Sequence, residues 1–217
     1  MPKHDLCHKH IFLFNYIAGM VNKIKKYLLP LMPLEDADID LLMSKAEMRN
    51  FDKKIIIVYE GEVENYLNFI VKGLVRKYFL RGDEEVITQI AGEGDIICAS
   101  DSYLSGQPSL YCTETIEPTS FISFKRESIE ELFKIDTKWQ RLGRLLMSNL
   151  LIEKENWEID RIKLTTQQRF VKFCNENPGL VARVPQKYLA SYLSIQPETF
   201  SRLKNVYKES LAAQSHA

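Results

Sequence analysis

Histidine is scarce in this chain of 217 residues. Only four occur, at positions 4, 8, 10 and 216, which leaves no imidazole anywhere between for acid–base or metal chemistry. Cysteine is equally sparse. Cys7, Cys98, Cys112 and Cys174 form no CxxC pair and no zinc-ligand spacing, which argues against a disulfide scaffold and fits a reducing cytoplasm. His4, Cys7, His8 and His10 have the right chemistry for a metal, but they read as a loose terminus, and no metal site or cofactor is predicted. No stretch approaches the ~20 apolar residues of a membrane span. Internal repeats and low-complexity segments are absent. No lysine or arginine stands between Arg81 and Lys125, a gap that weighs against any anion site built there.

What is present is apolar material for a core, 45% of residues, and an uneven charge distribution. From Arg161 to Lys208 there are nine Lys/Arg and two acids, a net of +7 in a chain whose total is zero. A basic C-terminal module on an acidic body is the electrostatic footprint of a DNA-binding head.

The chain opens with an apolar run, Ile11 to Ala18, behind Lys3 and Lys9. The run is too short for an export signal, and Lys23, Lys25 and Lys26 follow at once. Residues 1–20 are therefore expected to be a disordered or extraneous extension, residues 1–19 being a start-site overcall ahead of a native start at Met20. Val21 to Asn50 reads as helical, interrupted by Pro30 and Pro33. From Phe51 to about Phe124 the pattern changes to short β-branched and aromatic runs: Ile55–Tyr59, Tyr66–Val71, Leu74–Leu80, Val86–Ile90, Leu110–Ile116 and Ser120–Phe124. Most of the turns between them carry glycine, and Ser102 to Ser109 reads as loop. This grammar predicts an antiparallel jelly roll, and with the helices an α+β chain.

Thr137 to about Ile162 reads as one long helix. Along it Leu142, Leu145, Asn149, Ile152, Asn156 and Ile159 follow alternating spacings of 3 and 4, a heptad seam that predicts a homodimer. A second stripe, Leu146, Leu150 and Trp157, is suited to packing on the chain's own barrel. The expected division is a barrel over 21–136, a dimerisation helix over 137–163 and a DNA-binding domain over 164–217.

Within the last segment, Val184 to Lys204 reads as two helices and a tight turn. The first is Gln186 to Leu193, the turn is Ser194-Ile195-Gln196, and the second opens on Pro197, where a missing N–H costs nothing. Leu189, Ala190, Leu193, Phe200 and Leu203 take inward positions, while Glu198, Thr199, Ser201, Arg202 and Lys204 face out. That is the pattern of a DNA-reading helix-turn-helix.

The order of jelly roll, long helix and helix-turn-helix resembles the Crp/Fnr superfamily of bacterial transcription regulators. The resemblance rests on RVPQKYLASYLSIQPETFSR and VKGLVRKYFLRGDEEVITQIAGEGD, is greatest to the branch in Bacteroidetes-type bacteria, and runs from about Lys25 to Lys208. It implies a cyclic-nucleotide-binding-like barrel, a parallel dimer, a winged helix-turn-helix, near-palindromic double-stranded DNA as target, and RNA polymerase as a candidate partner. The family's base-reading positions fall on Gln196, Glu198, Thr199 and Arg202. Arg202 has the chemistry to bond guanine and Glu198 to accept from cytosine. Lys187, Ser201, Lys204 and Asn205 are candidate phosphate contacts.

The effector pocket departs from the family. Cyclic-AMP-binding members use a Gly-Glu pair and an Arg-Ser or Arg-Thr pair, which fall here on Cys98-Ala99 and Ser109-Leu110. Without the arginine a buried phosphate lacks its cation, so cyclic AMP is not expected to bind; any other effector is unspecified. Cys7 alone does not make an iron–sulfur site, and Cys98 is the one haem-ligand candidate in the barrel. Two other readings remain: a ligand-binding or scaffold barrel with a non-functional helix-turn-helix, and a cupin-type enzyme. The barrel's lack of histidine opposes the latter, and the chain is expected not to be an enzyme.

Overall fold

The computed structural model describes residue 19 and residues 21–214, with side chains to residue 209. The expectations for residues 1–18, His4, Cys7, His8 and His10 among them, and for His216 lie outside the described residues.

Among the described residues eight strands form two four-stranded antiparallel sheets. Sheet A has the order β1 (Ala46–Phe51), β8 (Thr119–Lys125), β3 (Tyr66–Lys72), β6 (Ile96–Ile97). Sheet B has the order β2 (Ile56–Val58), β7 (Cys112–Thr115), β4 (Val75–Arg81), β5 (Glu84–Ala91). Alternation along each strand sorts residues into layers. On β8, Phe121 faces sheet B and joins Ile70, Val75, Ala91 and Ile97 in a small core between the sheets. Ile122 and Phe124 face the other way. They lie beneath α1 (residues 21–28), α4 (Arg126–Ile135) and the first half of α5 (Thr137–Lys163). The outer face of sheet B is covered by α6 (Thr166–Glu176), α7 (Pro178–Arg183), α8 (Gln186–Tyr192) and α9 (Pro197–Gln214). The molecule is thus four layers deep, helices–sheet A–sheet B–C-terminal helices.

The turn from β3 to β4 requires glycine. Gly73 has φ of +102°, and a Cβ there would stand 2.5 Å from Thr119 Oγ1 and 2.6 Å from the Pro118 carbonyl oxygen. The start of α5 is set by Asp136, whose carboxylate accepts the Lys138 N–H at 2.8 Å.

Several expectations change. The stretch before Phe51 is not all helix: α2 (Asp36–Ser44) ends early and residues 46–51 pair with β8 as β1. Part of the expected 102–109 loop is helical, as α3 (Ser100–Ser105), and the strand expected over 110–116 is confined to β7. No wing forms among the described residues. The segment between α6 and α8 is the short helix α7 rather than a hairpin, started by Pro178 at its first position. Among the described residues no helix is long and apolar enough to cross a membrane.

Candidate nucleic-acid interface

The helix-turn-helix is built on a closed apolar underside. Leu189, Ala190, Leu193, Ile195 and Phe200 are buried. Phe200 meets Phe170 of α6 edge-to-face at 5.2 Å. The chain reverses through Ser194, whose φ is +53°, and the Ser194 and Ile195 N–H groups donate to the Ser191 and Ala190 carbonyls at 3.0 and 2.9 Å. Gln196 immediately precedes α9, its carbonyl accepting the Phe200 N–H at 2.9 Å.

With Phe200 and Leu203 turned inward, the other side of α9 faces solvent. Gln196, Glu198, Ser201, Arg202 and Asn205 are exposed, and Thr199 and Lys204 are half-buried. Lys187 is exposed on α8. Glu198 and Arg202 lie one turn apart, yet make no ion pair with each other among the described residues. The positively charged segment is less free than its sequence implies. Arg169 is buried, Lys172 is paired with Asp160 at 2.5 Å, and Arg183 is paired with Glu93 and Glu117 at 2.8 and 2.6 Å.

Those cations seat the module instead. Arg169 donates to the Leu193 carbonyl at 3.0 Å and to the Arg161 and Leu164 carbonyls at 3.3 Å each, tying the end of α5 to the end of α8. Burial, with Arg161 nearby, lowers its pKa. Trp157 of α5 stacks on Tyr192 at 4.6 Å. Against sheet B, Ser191 Oγ accepts the Ile87 N–H at 3.0 Å and donates to the Glu85 carbonyl at 3.1 Å. Arg76 of β4, 2% exposed, donates to Glu85 at 2.5 and 3.0 Å and to Glu114 at 2.5 Å. Its guanidinium lies over the rings of Tyr78 and Tyr188 at 4.3 and 4.1 Å. Burial penalises its charge, but the two carboxylates outweigh this and raise its pKa. Arg183 holds the Glu93 carboxyl down to about 2. None of these docking roles was read from the sequence; i-to-j pairing across some 90 positions, as between Arg183 and Glu93, leaves no local pattern.

The proposed dimer seam on α5 splits in two. Leu142 is corrected: it is buried in its own chain's core, beside Trp139 and Leu146. Leu145 and Asn149 are half-buried, Asn149 donating to Glu153 on the same helix at 2.8 Å. Ile152, Asn156 and Ile159 are exposed, and Leu151 and Ile162 join them, Ile162 being 78% exposed.

The four effector positions differ in exposure. Cys98 and Ala99 are buried, and burial pushes the Cys98 thiol up to about 12. Ser109 is buried with its Oγ accepting the Tyr111 N–H at 3.0 Å, whereas Leu110 is 65% exposed. The charge gap from Arg81 to Lys125 proves an incomplete guide. Lys77, on β4, reaches the Cys98 carbonyl at 3.1 Å. Desolvation lowers its pKa. Glu64 also enters, its buried carboxylate accepting the Tyr66 N–H at 2.9 Å and the Ala99 N–H at 3.4 Å. Burial raises the Glu64 pKa.

Residues 48–136 match the cyclic nucleotide-binding domain family. No curated protein matches the sequence. Among solved structures, the chain is similar to FixK2 from Bradyrhizobium japonicum at 24% identity, with a TM-score of 0.66 over 76% of this chain and 85% of that one. It is similar to the c-di-GMP-responsive global regulator CLP of Xanthomonas campestris at 14% identity, with a TM-score of 0.63 over 82% and 94%. DNR from Pseudomonas aeruginosa aligns at 18% identity, with a TM-score of 0.51 over 87% of each chain. Residues 48–136 thus match the cyclic nucleotide-binding domain, and the chain as a whole shares its fold with the regulators FixK2, CLP and DNR.

Proposed function

We propose that this chain is a sequence-specific DNA-binding transcription regulator of the Crp/Fnr type, working as a homodimer and not as an enzyme. The observation that carries the reading is the exposed face of α9. Gln196, Glu198, Arg202 and Asn205 stand clear of the protein on a helix whose opposite side is locked by Phe200 and Leu203. An exposed Glu and Arg one turn apart, unpaired with each other, are available to base edges in a major groove. Lys187, Ser201 and Lys204 flank them as phosphate contacts, and Thr199 completes the base-reading set.

Dimerisation is carried by the exposed apolar stripe of α5, Leu151, Ile152, Ile159 and Ile162, with Asn156 among them. It would present the helix-turn-helix twice about a twofold axis, so the target is a near-palindrome with half-sites about one helical turn apart. The units are a barrel over 21–136, the linking helix over 137–163 and the DNA-binding domain from 164 on.

The barrel does not use cyclic AMP. Lys77 stands beside the expected site, but it is committed to the Cys98 carbonyl, and its desolvation disfavours the charge a phosphate would need. The deciding experiment is selection of bound sequences from random duplex DNA by the purified chain, followed by titration of the winner at several salt concentrations. A two-half-site winner with a steep salt dependence is expected. Failure to enrich any sequence overturns the reading. Ile152→Asp is expected to shift the protein to monomers in sedimentation; a dimer that survives it would remove α5 as the interface.

A further inference from the structure

A cavity of about 320 Å³ lies between the outer face of sheet A and the helices above it. Its walls are apolar, among them Ile24, Leu67, Phe69, Leu132, Leu142 and Leu146. The exposed lining residues Leu104, Glu130, Gln140 and Arg144 mark its mouth, so one acid and one base stand at the rim. None of Cys98, Ala99, Ser109 or Leu110 belongs to it.

The cavity is not simply greasy. Tyr103, Arg126 and Trp139 line it, and in each a buried polar atom finds no hydrogen-bond partner among the described residues: the Tyr103 hydroxyl, Arg126 Nε and Trp139 Nε1. Tyr103 is 7% exposed and Trp139 2%. Arg126 is fixed in place, since its terminal nitrogen donates to the Glu64 carbonyl at 2.7 Å and the Ser102 carbonyl at 3.1 Å, while its Nε is left over. The guanidinium carbon stands 5.5 Å from the centre of the Tyr103 ring, so the two unmatched donors belong to neighbouring side chains. Buried donors are almost always matched in folded proteins, and several unmatched ones around one apolar cavity describe a complementary guest. All three groups can donate, and one carries a positive charge.

We propose that this cavity binds an apolar carboxylic acid. Its hydrocarbon part fills the space under α4 and α5, and its carboxylate accepts from Arg126 Nε–H and the Tyr103 hydroxyl in charge-assisted hydrogen bonds. The Trp139 indole on the same wall is a built-in reporter. The site is separate from DNA recognition, so binding alone tests it.

The test is calorimetric titration of the full chain with hexanoate, decanoate and 3-phenylpropanoate, each beside the alcohol and the amine of the same skeleton. At least one acid is expected to saturate at one per chain, about tenfold or more tighter than its alcohol, with the amine weaker still. Tyr103→Phe removes a hydroxyl that has no partner in the free protein. It is expected to leave the melting temperature unchanged or raise it, while weakening the acid about 5–10-fold and the alcohol less. Equal binding of acid and amine, or no saturable binding of any acid, overturns the proposal. A clear loss of melting temperature in Tyr103→Phe would show that the hydroxyl is already matched, and overturns it as well.

Discussion

The two outer faces of the sandwich are both covered by helices, but the coverings are of different kinds. Over sheet B the helix-turn-helix module is docked by ion pairs and hydrogen bonds: Arg76 between Glu85 and Glu114, Ser191 bridging to β5, Arg183 between Glu93 and Glu117. Among the described residues, Arg76 Nε and Thr113 Oγ1 are the buried polar atoms left without a partner on that side. Over sheet A the seal of α1, α4 and α5 is apolar, and the donors of Tyr103, Arg126 and Trp139 beneath it lack acceptors. What separates the two sides is charge: carboxylates meet the cations over sheet B, whereas the unmatched donors over sheet A surround an apolar cavity that the proposed guest would fill.

That contrast can be broken most sharply at Arg76. Arg76→Met leaves Glu114 buried without its cation and is expected to cost about 3–5 kcal/mol in urea denaturation of the full chain. Tyr103→Phe, on the opposite face, is expected to cost nothing; equal losses from the two would erase the difference between the faces. Next in size is the outward side of the sheet B cover. Arg202→Ala is expected to cost about 1–3 kcal/mol on the selected DNA site, whereas Lys204→Ala weakens all sequences alike and lowers the salt slope by about 1. Fluorescence polarisation with specific and random duplexes separates them, and similar small losses on both DNAs from Arg202→Ala would contradict base reading.

A smaller effect is expected from Trp157→Ala, which deletes the stack on Tyr192 and should cost about 0.5–1.5 kcal/mol beyond lost burial, resolved by a double-mutant cycle with Tyr192→Ala. The smallest is a pH dependence. Glu93 has a folded pKa of about 2 against an ordinary 4.5, chiefly because Arg183 bonds it. A depressed carboxylate stabilises the fold fully above about pH 4.5 and loses that contribution as pH falls towards 2. Glu93→Gln is expected to flatten this part of the stability curve; an unchanged acid limb would deny the latch a role.

The helix-turn-helix was legible because its signals are local: Pro197 at a helix start, Phe200 and Leu203 at helical spacing, a three-residue turn. The barrel was legible from glycine-punctuated short strands. β1 was not, because Ala46, Glu47, Met48 and Arg49 favour helix in isolation and become a strand only by pairing with β8, far along the chain. Leu142 was assigned to the wrong side of α5 because two apolar stripes share the helix, and only packing decides which one is inward. Arg169 counted as surface charge since a buried arginine that bonds carbonyls has no sequence signature. Lys77 escaped the charge argument for a related reason: a sheet brings β4 against residues some 20 positions away.

Arg169 gives α5 a mechanical meaning. Its bonds to Arg161, Leu164 and Leu193 clamp the far end of that helix to the turn that carries the proposed DNA-reading helix, while Trp139 to Met147 near its other end form a wall of the sheet A cavity. A helix of 27 residues is a rod of roughly 40 Å, so a tilt of about 5° swings its far end by roughly 3.5 Å, more than a bidentate hydrogen bond tolerates. Cavity and helix-turn-helix therefore lie towards opposite ends of one helix, and a tilt of it at the first would move the second.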